Sequence, residues 1–393
     1  MRWAYVVVVF AACFEVRNPN VCCETEAECA AIGFETPQPC DLGACVDRTC
    51  QDTGCDGNED CDGAQCVDDV CVSDSAFCSQ NGGLIVYDSD RDGGRDLYVT
   101  LGGGTSTPLT TGPDLKSLPT PSPQRDRIAY LRQGSSTRDI FVVASDGSGS
   151  LNASNSTEAD AHAVWSPDGA LLGITSEVGT AFIVRSIGGS YFPLQGLPEG
   201  TTVDPTWSPD VQIMAYASNT VADGGAIFTI LIDGTSRTEI IRATNFKYGR
   251  TQWSPDGTLI GYLGTLDVGL PDLYVTNSTG TVGQNLTSTY TASETDFQWS
   301  HDGSMIAFVR EQTNRSDIWV VEANGSNPRS ITFDAGRNEH PKWSADDRFL
   351  TFDSNRDGQW EIYRVAQDGS GLTNVTMNAA DDRNPAWLPC PSP

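Results

Sequence analysis

A short turn motif that begins with tryptophan recurs at nearly constant spacing along this chain. WSPDG at Trp165 is followed by copies at intervals of 42, 46, 46, 44 and 44 residues, which start at Trp207, Trp253, Trp299, Trp343 and Trp387. A fixed period of about 20 to 50 residues indicates one supersecondary unit that is repeated and stacked. The chain is therefore predicted to fold as an array of similar units.

The residues after each turn predict short strands. An apolar run such as residues 259–262 comes first, and a second run that leads from an acid to an aromatic residue follows, as in residues 272–275. A glycine-rich hairpin and a run rich in Thr and Ser complete the unit. Four short strands joined by tight turns make a small antiparallel sheet, and such sheets arranged radially form a propeller.

The spacing also predicts how many sheets there are. One period before Trp165 lies Pro121, in a degenerate copy of the turn, so the chain contains seven first strands. Residues 84–98 supply second and third strands without a first strand, whereas residues 385–387 supply a first strand with nothing after it. We therefore expect an all-β fold: a seven-bladed beta-propeller, closed by N- and C-terminal strands that share one blade and preceded by a small disulfide-rich module. Sharing a blade leaves no open sheet edge at the seam.

Residues 84 to 389 resemble the TolB-type, WD-like beta-propeller repeat family. The residues that carry the resemblance are the WSPDG turns, the apolar strand after each turn and the following acid-aliphatic-aromatic run. TolB proteins of this family have six blades behind a small α/β domain, and this chain is predicted to have neither feature. The resemblance therefore implies the repeat architecture and not the cellular role of TolB.

The N-terminus resembles a bacterial lipoprotein signal. One positive charge at Arg2 precedes an apolar run of about nine residues, too short for the roughly 20 residues that span a bilayer. The run ends in Phe10-Ala11-Ala12-Cys13, where small residues precede a cysteine. We predict a signal peptide over residues 1–12 with lipidation of Cys13, and an ordinary cleaved signal of a secreted protein is the alternative.

Residues 13–80 are rich in cysteine and acids and almost free of aliphatic runs, whereas residues 81–393 form the predicted propeller. Such a segment cannot bury enough apolar surface to fold alone, so disulfides must stabilise it, and thirteen cysteines indicate an oxidising compartment. A metal-binding module is the alternative, but zinc sites favour cysteine pairs with few extra cysteines.

Cysteine counting adds a specific pairing hypothesis. If Cys13 is lipidated, eleven cysteines remain between Cys22 and Cys78, an odd number, and Cys390 lies outside them. Cys78 and Cys390 flank the second and first strands of the same predicted blade, so a disulfide between them would close the ring covalently. The alternative is that Cys390 pairs with another cysteine of the N-terminal module.

Charge and candidate side chains limit the possible functions. A formal net charge of −28 argues against nucleic-acid binding, which needs clustered Lys and Arg. Residues three positions before each tryptophan should lie where first strands enter the central channel, and these channel-mouth candidates are His162, Asp204, Arg250, Asp296, His340 and Asn384. Four of them, His162, Asp204, Asp296 and His340, could in principle hold a divalent cation. The resemblance to oligogalacturonate lyases, seven-bladed proteins with a His-rich central metal site, carries the same implication.

Two further patterns are better explained by structure than by catalysis. The segments that start at Asp88 and Asp353 match the opening of an EF-hand loop, but Val99 and Arg364 stand where a bidentate Glu is required. Hairpin turns are the better interpretation. An acid begins most of the second runs, and Ala181 and Ala226 replace it in two repeats. Its regular place in ordinary repeats favours a structural hydrogen bond.

No G-x-S-x-G nucleophile motif is present, and we predict no cofactor and no catalytic residue. The sequence favours a non-enzymatic binding scaffold of the cell envelope or the extracellular space, with a protein partner or, alternatively, a glycan. Membrane attachment would occur only through the lipid anchor. A polyuronide lyase with a metal site at the channel mouth is the alternative function, since fold alone does not assign function.

Overall fold

The computed structural model describes residues 65–67, 70–72 and 82–388, apart from 103–104, 135–136, 189–191, 194–201, 220–224, 267–268, 281–282, 290 and 334–335. The chain divides into two compact units. The first consists of Met1–Gly83 with Cys390–Pro393, and the second of Leu84–Pro389. Of the first unit, the structure describes a small hairpin of β1 (Gln65–Val67) and β2 (Val70–Val72). The predicted signal peptide, Cys13, Cys78 and Cys390 lie outside the described residues, and so do most of the other cysteines.

The second unit consists of seven four-stranded antiparallel sheets, the blades of a propeller. Blade 1 contains β3 (Leu84–Ser89), β4 (Asp96–Gly102), β5 (Thr105–Pro108) and, from the other end of the chain, β30 (Asp382–Leu388). Blade 2 contains β6 (Leu115–Pro121), β7 (Arg127–Gln133), β8 (Arg138–Ala144) and β9 (Leu151–Asn152). Blade 3 contains β10 (Asp160–Trp165), β11 (Leu171–Ser176), β12 (Ala181–Arg185) and β13 (Phe192–Pro193). Blade 4 contains β14 (Thr202–Trp207), β15 (Ile213–Ser218), β16 (Ala226–Leu231) and β17 (Thr238–Arg242). Blade 5 contains β18 (Phe246–Trp253), β19 (Leu259–Leu266), β20 (Asp272–Asn277) and β21 (Gly283–Asn285). Blade 6 contains β22 (Ser293–Trp299), β23 (Met305–Gln312), β24 (Arg315–Glu322) and β25 (Arg329–Ser330). Blade 7 contains β26 (Asn338–Trp343), β27 (Phe349–Ser354), β28 (Glu361–Ala366) and β29 (Thr373–Asn374).

The ring closes through blade 1. The C-terminal strand β30 pairs antiparallel with β3, so that Leu388 lies opposite Leu84 and Trp387 opposite Ile85. The sheet order is β30-β3-β4-β5, with β30 in the position that β6 or β10 takes in its own blade. This arrangement confirms the predicted seven blades and the blade shared between the chain ends.

The hydrophobic core lies between neighbouring blades. Trp343 of blade 7 is 1% exposed and packs in one cluster with Ala307 and Ile318 of blade 6. Its indole nitrogen donates a hydrogen bond to the main-chain carbonyl of Gln298, 3.2 Å away in blade 6. This tryptophan therefore joins blade 7 to blade 6.

Every first strand contains an irregularity near the channel. In all seven blades the pairing register with the second strand shifts there, and the first-strand residues left unpaired lie two to four positions before the tryptophan position. Bulges of this kind redirect side chains at the rims of barrels. Leu118, His340 and Asn384, three positions before the tryptophan position, have positive φ angles of 56°, 53° and 55°.

The two aspartate-rich segments are hairpin turns, as expected. The first connects β3 to β4, and there Tyr98 donates a hydrogen bond to Asp92 while the guanidinium group of Arg91 stacks on the Tyr98 ring at 4.4 Å. In the second segment, Arg356 stacks in the same way on Tyr363. An arginine and a tyrosine therefore stabilise each of these turns.

The recurrent acids also have structural partners. Asp317 accepts a hydrogen bond of 3.1 Å from the Thr332 hydroxyl, and Asp96 accepts one of 3.0 Å from Thr110. Both partners follow the fourth strand of the same blade, so the acids connect strands within blades. This agrees with the structural role expected from the sequence.

The strand directions define two faces of the propeller. The turns between first and second strands and between third and fourth strands lie on one face, which we call the turn face. The hairpins between second and third strands and the blade-to-blade connections lie on the other, the loop face. In the described part of the chain, no helix has the length and apolar character that crossing a membrane requires.

Candidate functional site

A cavity of about 560 Å³ lies along the first strands of the propeller. This volume is in the range of small-molecule binding sites. Blades 2 to 4 line it mainly with small or apolar side chains, such as Leu118, Ala163 and Pro205. Blades 5 to 7 line it with charged side chains, which include Arg250, Asp296, Arg337, Glu339, His340 and Lys342. The channel therefore has an apolar wall and a charged wall.

On the charged wall, two of the channel-mouth candidates form an ion pair. Arg250 of blade 5 binds the carboxylate of Asp296 of blade 6, one blade further round the ring. Burial opposes ionisation of Asp296, but the positive charges of Arg250 and Lys342 outweigh it and lower the pKa of this carboxyl. Asp296 is therefore ionised, with Arg250 as its direct partner.

The loop-face end of the channel carries a chain of ion pairs. Arg337 contacts Glu311 and Glu339, both at 2.9 Å. Arg383 joins Glu339, at 2.6 Å, to the fully buried carboxylate of Asp353, at 3.0 Å. The Arg383 guanidinium group also lies 3.9 Å from the centre of the Trp360 ring.

His340 completes this cluster. Its Nδ1 atom lies 2.9 Å from Asp353. Burial disfavours the charged imidazolium, but the Asp353 carboxylate outweighs that effect and raises the pKa of His340. Register explains the contact, because Asp353 of β27 pairs with Glu339 of β26, next to His340.

In the described residues, one group of side chains best approaches the arrangement of a metal site. One potential ligand atom from each of Glu339, His340 and Asp353 lies within 4.8 Å of the others. The carboxylate oxygens of Glu339 and Asp353 and the Nδ1 atom of His340 are already engaged, however. Arg383 binds both carboxylates, Arg337 binds Glu339, and His340 directs Nδ1 at Asp353. A metal ion would have to displace a guanidinium group, so these residues do not fit a divalent cation.

The remaining predicted residues are dispersed. His162 lines the cavity on the side of blade 3 and is exposed. Asn384 donates a hydrogen bond of 2.7 Å to buried Asp88. The backbone of Asp204 lies in β14, and its side chain is outside the described part. Asp296 pairs with Arg250 and His340 with Asp353, so these candidates form separate ion pairs.

Sequence reasoning missed Arg383, Asp353 as a channel residue, and Lys342. Asp353 was concealed inside an aspartate-rich turn motif, and its place beside His340 depends on strand register. Lys342 could have been found from the repeat itself. It stands one position before a tryptophan, where blades 5 and 6 both carry glutamine, Gln252 and Gln298.

Comparison with known proteins agrees with this architecture. Residues 233–391 match the family model described as TolB beta propeller domain. This segment of the propeller is similar to that family. TolB from Acinetobacter baumannii has 16% sequence identity and a TM-score of 0.51 over 78% of this chain and 67% of that protein.

Two further structures are similar. An oligogalacturonate lyase in complex with manganese has 16% identity and a TM-score of 0.59 over 75% of this chain and 87% of the lyase. The propeller domain of the Trilobed protease from Pyrococcus furiosus has 12% identity and a TM-score of 0.57 over 75% of this chain and 92% of that domain. That domain is described as having an open velcro topology, whereas β30 pairs with β3 here. At such identities the likeness concerns the fold alone.

Proposed function

We propose that this TolB-type propeller is a non-enzymatic binding scaffold that holds a protein partner on its loop face. Exposed apolar side chains carry the proposal. Eight large hydrophobic residues are exposed among the described residues, and six of them lie on the loop face: Leu115, Val178, Leu266, Leu270, Phe333 and Met377. Phe333 is 77% exposed. Large apolar and aromatic side chains on a surface favour protein association.

The course of the chain supports the same face. Strand β3 starts at Leu84 on the turn face, and β30 ends at Leu388 on that face. The polypeptide therefore enters and leaves the propeller on the turn face. Within the described residues, neither end of the propeller segment lies on the loop face.

The lyase alternative receives less support. Its expected metal site would use the channel-mouth acids and histidines, but Arg383 and Arg337 already neutralise Glu339 and Asp353. The manganese of the oligogalacturonate lyase belongs to that protein. For this chain, the ion-paired carboxylates favour a scaffold.

The N-terminal sequence supports an envelope location. In this proposal residues 1–12 are a signal peptide, lipidation of Cys13 attaches the chain to a membrane, and residues 13–80 form a disulfide-stapled connector. A secreted protein is the alternative. Radiolabelled palmitate should label the wild type but not Cys13→Ala, and equal labelling of both proteins would refute the lipid anchor.

Paired variants test the binding face. Leu270→Ser with Phe333→Ser removes two apolar side chains from the loop face, and Ile187→Ser with Leu372→Ser removes two exposed ones from the turn face. Crosslinked partners from the native envelope should be lost or reduced about 10-fold for the first variant and retained by the second.

Equal melting temperatures of the two variants would establish that both are folded. Loss of the partner in the turn-face variant, with retention in the loop-face variant, would contradict the assignment of the face.

A further inference from the structure

Among the described residues, one cation of the channel makes no hydrogen bond or ion pair. Arg250 pairs with Asp296, and Arg337 and Arg383 are held by the acids of the loop-face cluster. The ammonium group of Lys342 makes no hydrogen bond or ion pair with a described residue, although it lines the cavity and is half-buried. A partly desolvated charge without a hydrogen-bond partner is unfavourable, so its presence calls for an explanation.

The repeat rules out one structural explanation. At the position that Lys342 occupies, Gln252 and Gln298 accept hydrogen bonds from the main-chain nitrogens of Trp299 and Trp343, at 3.3 and 3.0 Å. These bonds join neighbouring blades. Lysine has three donors and no acceptor. Lys342 therefore cannot replace the glutamine in this role.

The electrostatic surroundings leave Lys342 available to an anion. Asp296 and Asp353 are the described acids whose charges act on Lys342, but Asp296 is bound by Arg250, and Asp353 is bound by Arg383 and His340. Burial lowers the pKa of Lys342, and a bound anion would reverse this effect by stabilising the charged form. Arg250 adds a second positive charge on the same wall.

The facing wall defines the rest of the ligand. Leu118, Ala163, Val164 and Pro205 of blades 2 to 4 line the cavity, and His162 is the only acidic or basic side chain that the described residues of these blades contribute to it. A ligand between the walls would need one apolar side and one anionic group. We propose that the channel is a binding site for an apolar carboxylate, with Lys342 as the residue that contacts the carboxylate.

This inference rests on the proposed scaffold function and names a ligand class for its channel. The full chain is titrated calorimetrically with 4-phenylbutyrate and with the neutral 4-phenylbutyramide. A charge-assisted hydrogen bond predicts about 10-fold or tighter binding of the acid. N-acetyl-leucine and its amide serve as a second pair that mimics the C-terminus of a peptide. Tighter binding of N-acetyl-leucine than of 4-phenylbutyrate would indicate a peptide end, and the reverse a free organic acid.

Lys342→Met retains most of the side-chain volume but removes the charge, so it should abolish the preference for the acid in both pairs. Lys247→Met removes a lysine that is exposed on the propeller surface and should leave the preference unchanged. The proposal is overturned if Lys342→Met is folded and still prefers the acid, if acid and amide bind the wild type equally, or if neither shows saturable binding. These titrations use small molecules alone, so their outcome is separate from partner capture on the loop face.

Discussion

The indole Nε1 of Trp387 donates a hydrogen bond to the main-chain carbonyl of Lys342, 2.9 Å away in the preceding blade. The same bond joins Trp165 to Thr120, Trp207 to Val164, Trp299 to Gln252 and Trp343 to Gln298. Trp253 differs, because its buried Nε1 has no hydrogen-bond partner. The tryptophan repeat is therefore an inter-blade contact that is complete at five junctions.

This difference predicts that replacing tryptophan by phenylalanine affects the free energy of unfolding unequally at the two kinds of junction. Trp343→Phe retains an aromatic ring but leaves the Gln298 carbonyl without its donor, whereas Trp253→Phe removes an N–H that is already unpaired. We expect the first variant to lose about 1 kcal/mol more of its free energy of unfolding than the second. Urea denaturation measures both, and equal losses would refute the role assigned to the indole hydrogen bond.

The raised pKa of the Glu294 carboxyl predicts that the stability of the fold depends on pH. Burial raises the pKa of this carboxyl to about 7 from an ordinary value of 4.5, although the Arg310 Nε atom, 2.8 Å away, opposes the rise. The folded state therefore binds the proton more tightly than the unfolded state. The resulting stabilisation is complete below pH 4.5 and is lost as the pH rises through about 7.

Glu294→Gln removes this titration. The stability of the wild type relative to that variant should fall by about 1 to 3 kcal/mol as the pH rises from about 4 to 8. The urea midpoints of the two proteins across that pH range measure this difference. Glu158→Gln, a change at an exposed residue, is the control. A constant difference between wild type and Glu294→Gln would contradict the raised pKa.

The ion pairs of Arg383 predict that the channel mouth binds a metal ion only when this arginine is removed. In Arg383→Met the carboxylates of Glu339 and Asp353 lose a shared guanidinium group, which should reduce stability by about 1 to 3 kcal/mol. The freed cluster with His340 should then bind Mn²⁺, and Mn²⁺ should raise the melting temperature of the variant but not of the wild type. Electron paramagnetic resonance of Mn²⁺ measures the binding directly.

His340→Ala in the Arg383→Met background should remove the Mn²⁺ binding, since it deletes the nitrogen ligand. Stoichiometric Mn²⁺ binding by the wild type that His340→Ala abolishes would show instead that a metal displaces Arg383, and would favour the lyase alternative.

The disulfide between Cys78 and Cys390 remains a prediction. Peptide mapping without reduction should recover these two cysteines in one crosslinked fragment. Cys390→Ser should lower the free energy of unfolding by about 4 to 5 kcal/mol, because the disulfide would close a loop of more than 100 residues. A free thiol at Cys390, or its recovery with another cysteine, would disprove the pairing.

The spacing of the tryptophans was sufficient to predict seven blades and the shared blade, because every strand in this fold repeats with the same period. The channel was harder to predict. Placing His162, Asp296 and His340 near it needed only the repeat, and the contact of Arg250 with Asp296 joins equivalent positions one period apart. The contact of Asp353 with His340 depends instead on strand register, and it joins positions that the repeat spacing does not relate.

Blade 1 obtains its innermost strand from the far end of the chain, and this has a consequence for biogenesis. The ribosome makes β30 after all the other described strands, so the edge of β3 stays unpaired throughout synthesis of the intervening blades. Contacts so distant in sequence form slowly, and an unpaired edge can associate with other chains. Truncation before Asp382 should therefore yield an aggregation-prone open ring.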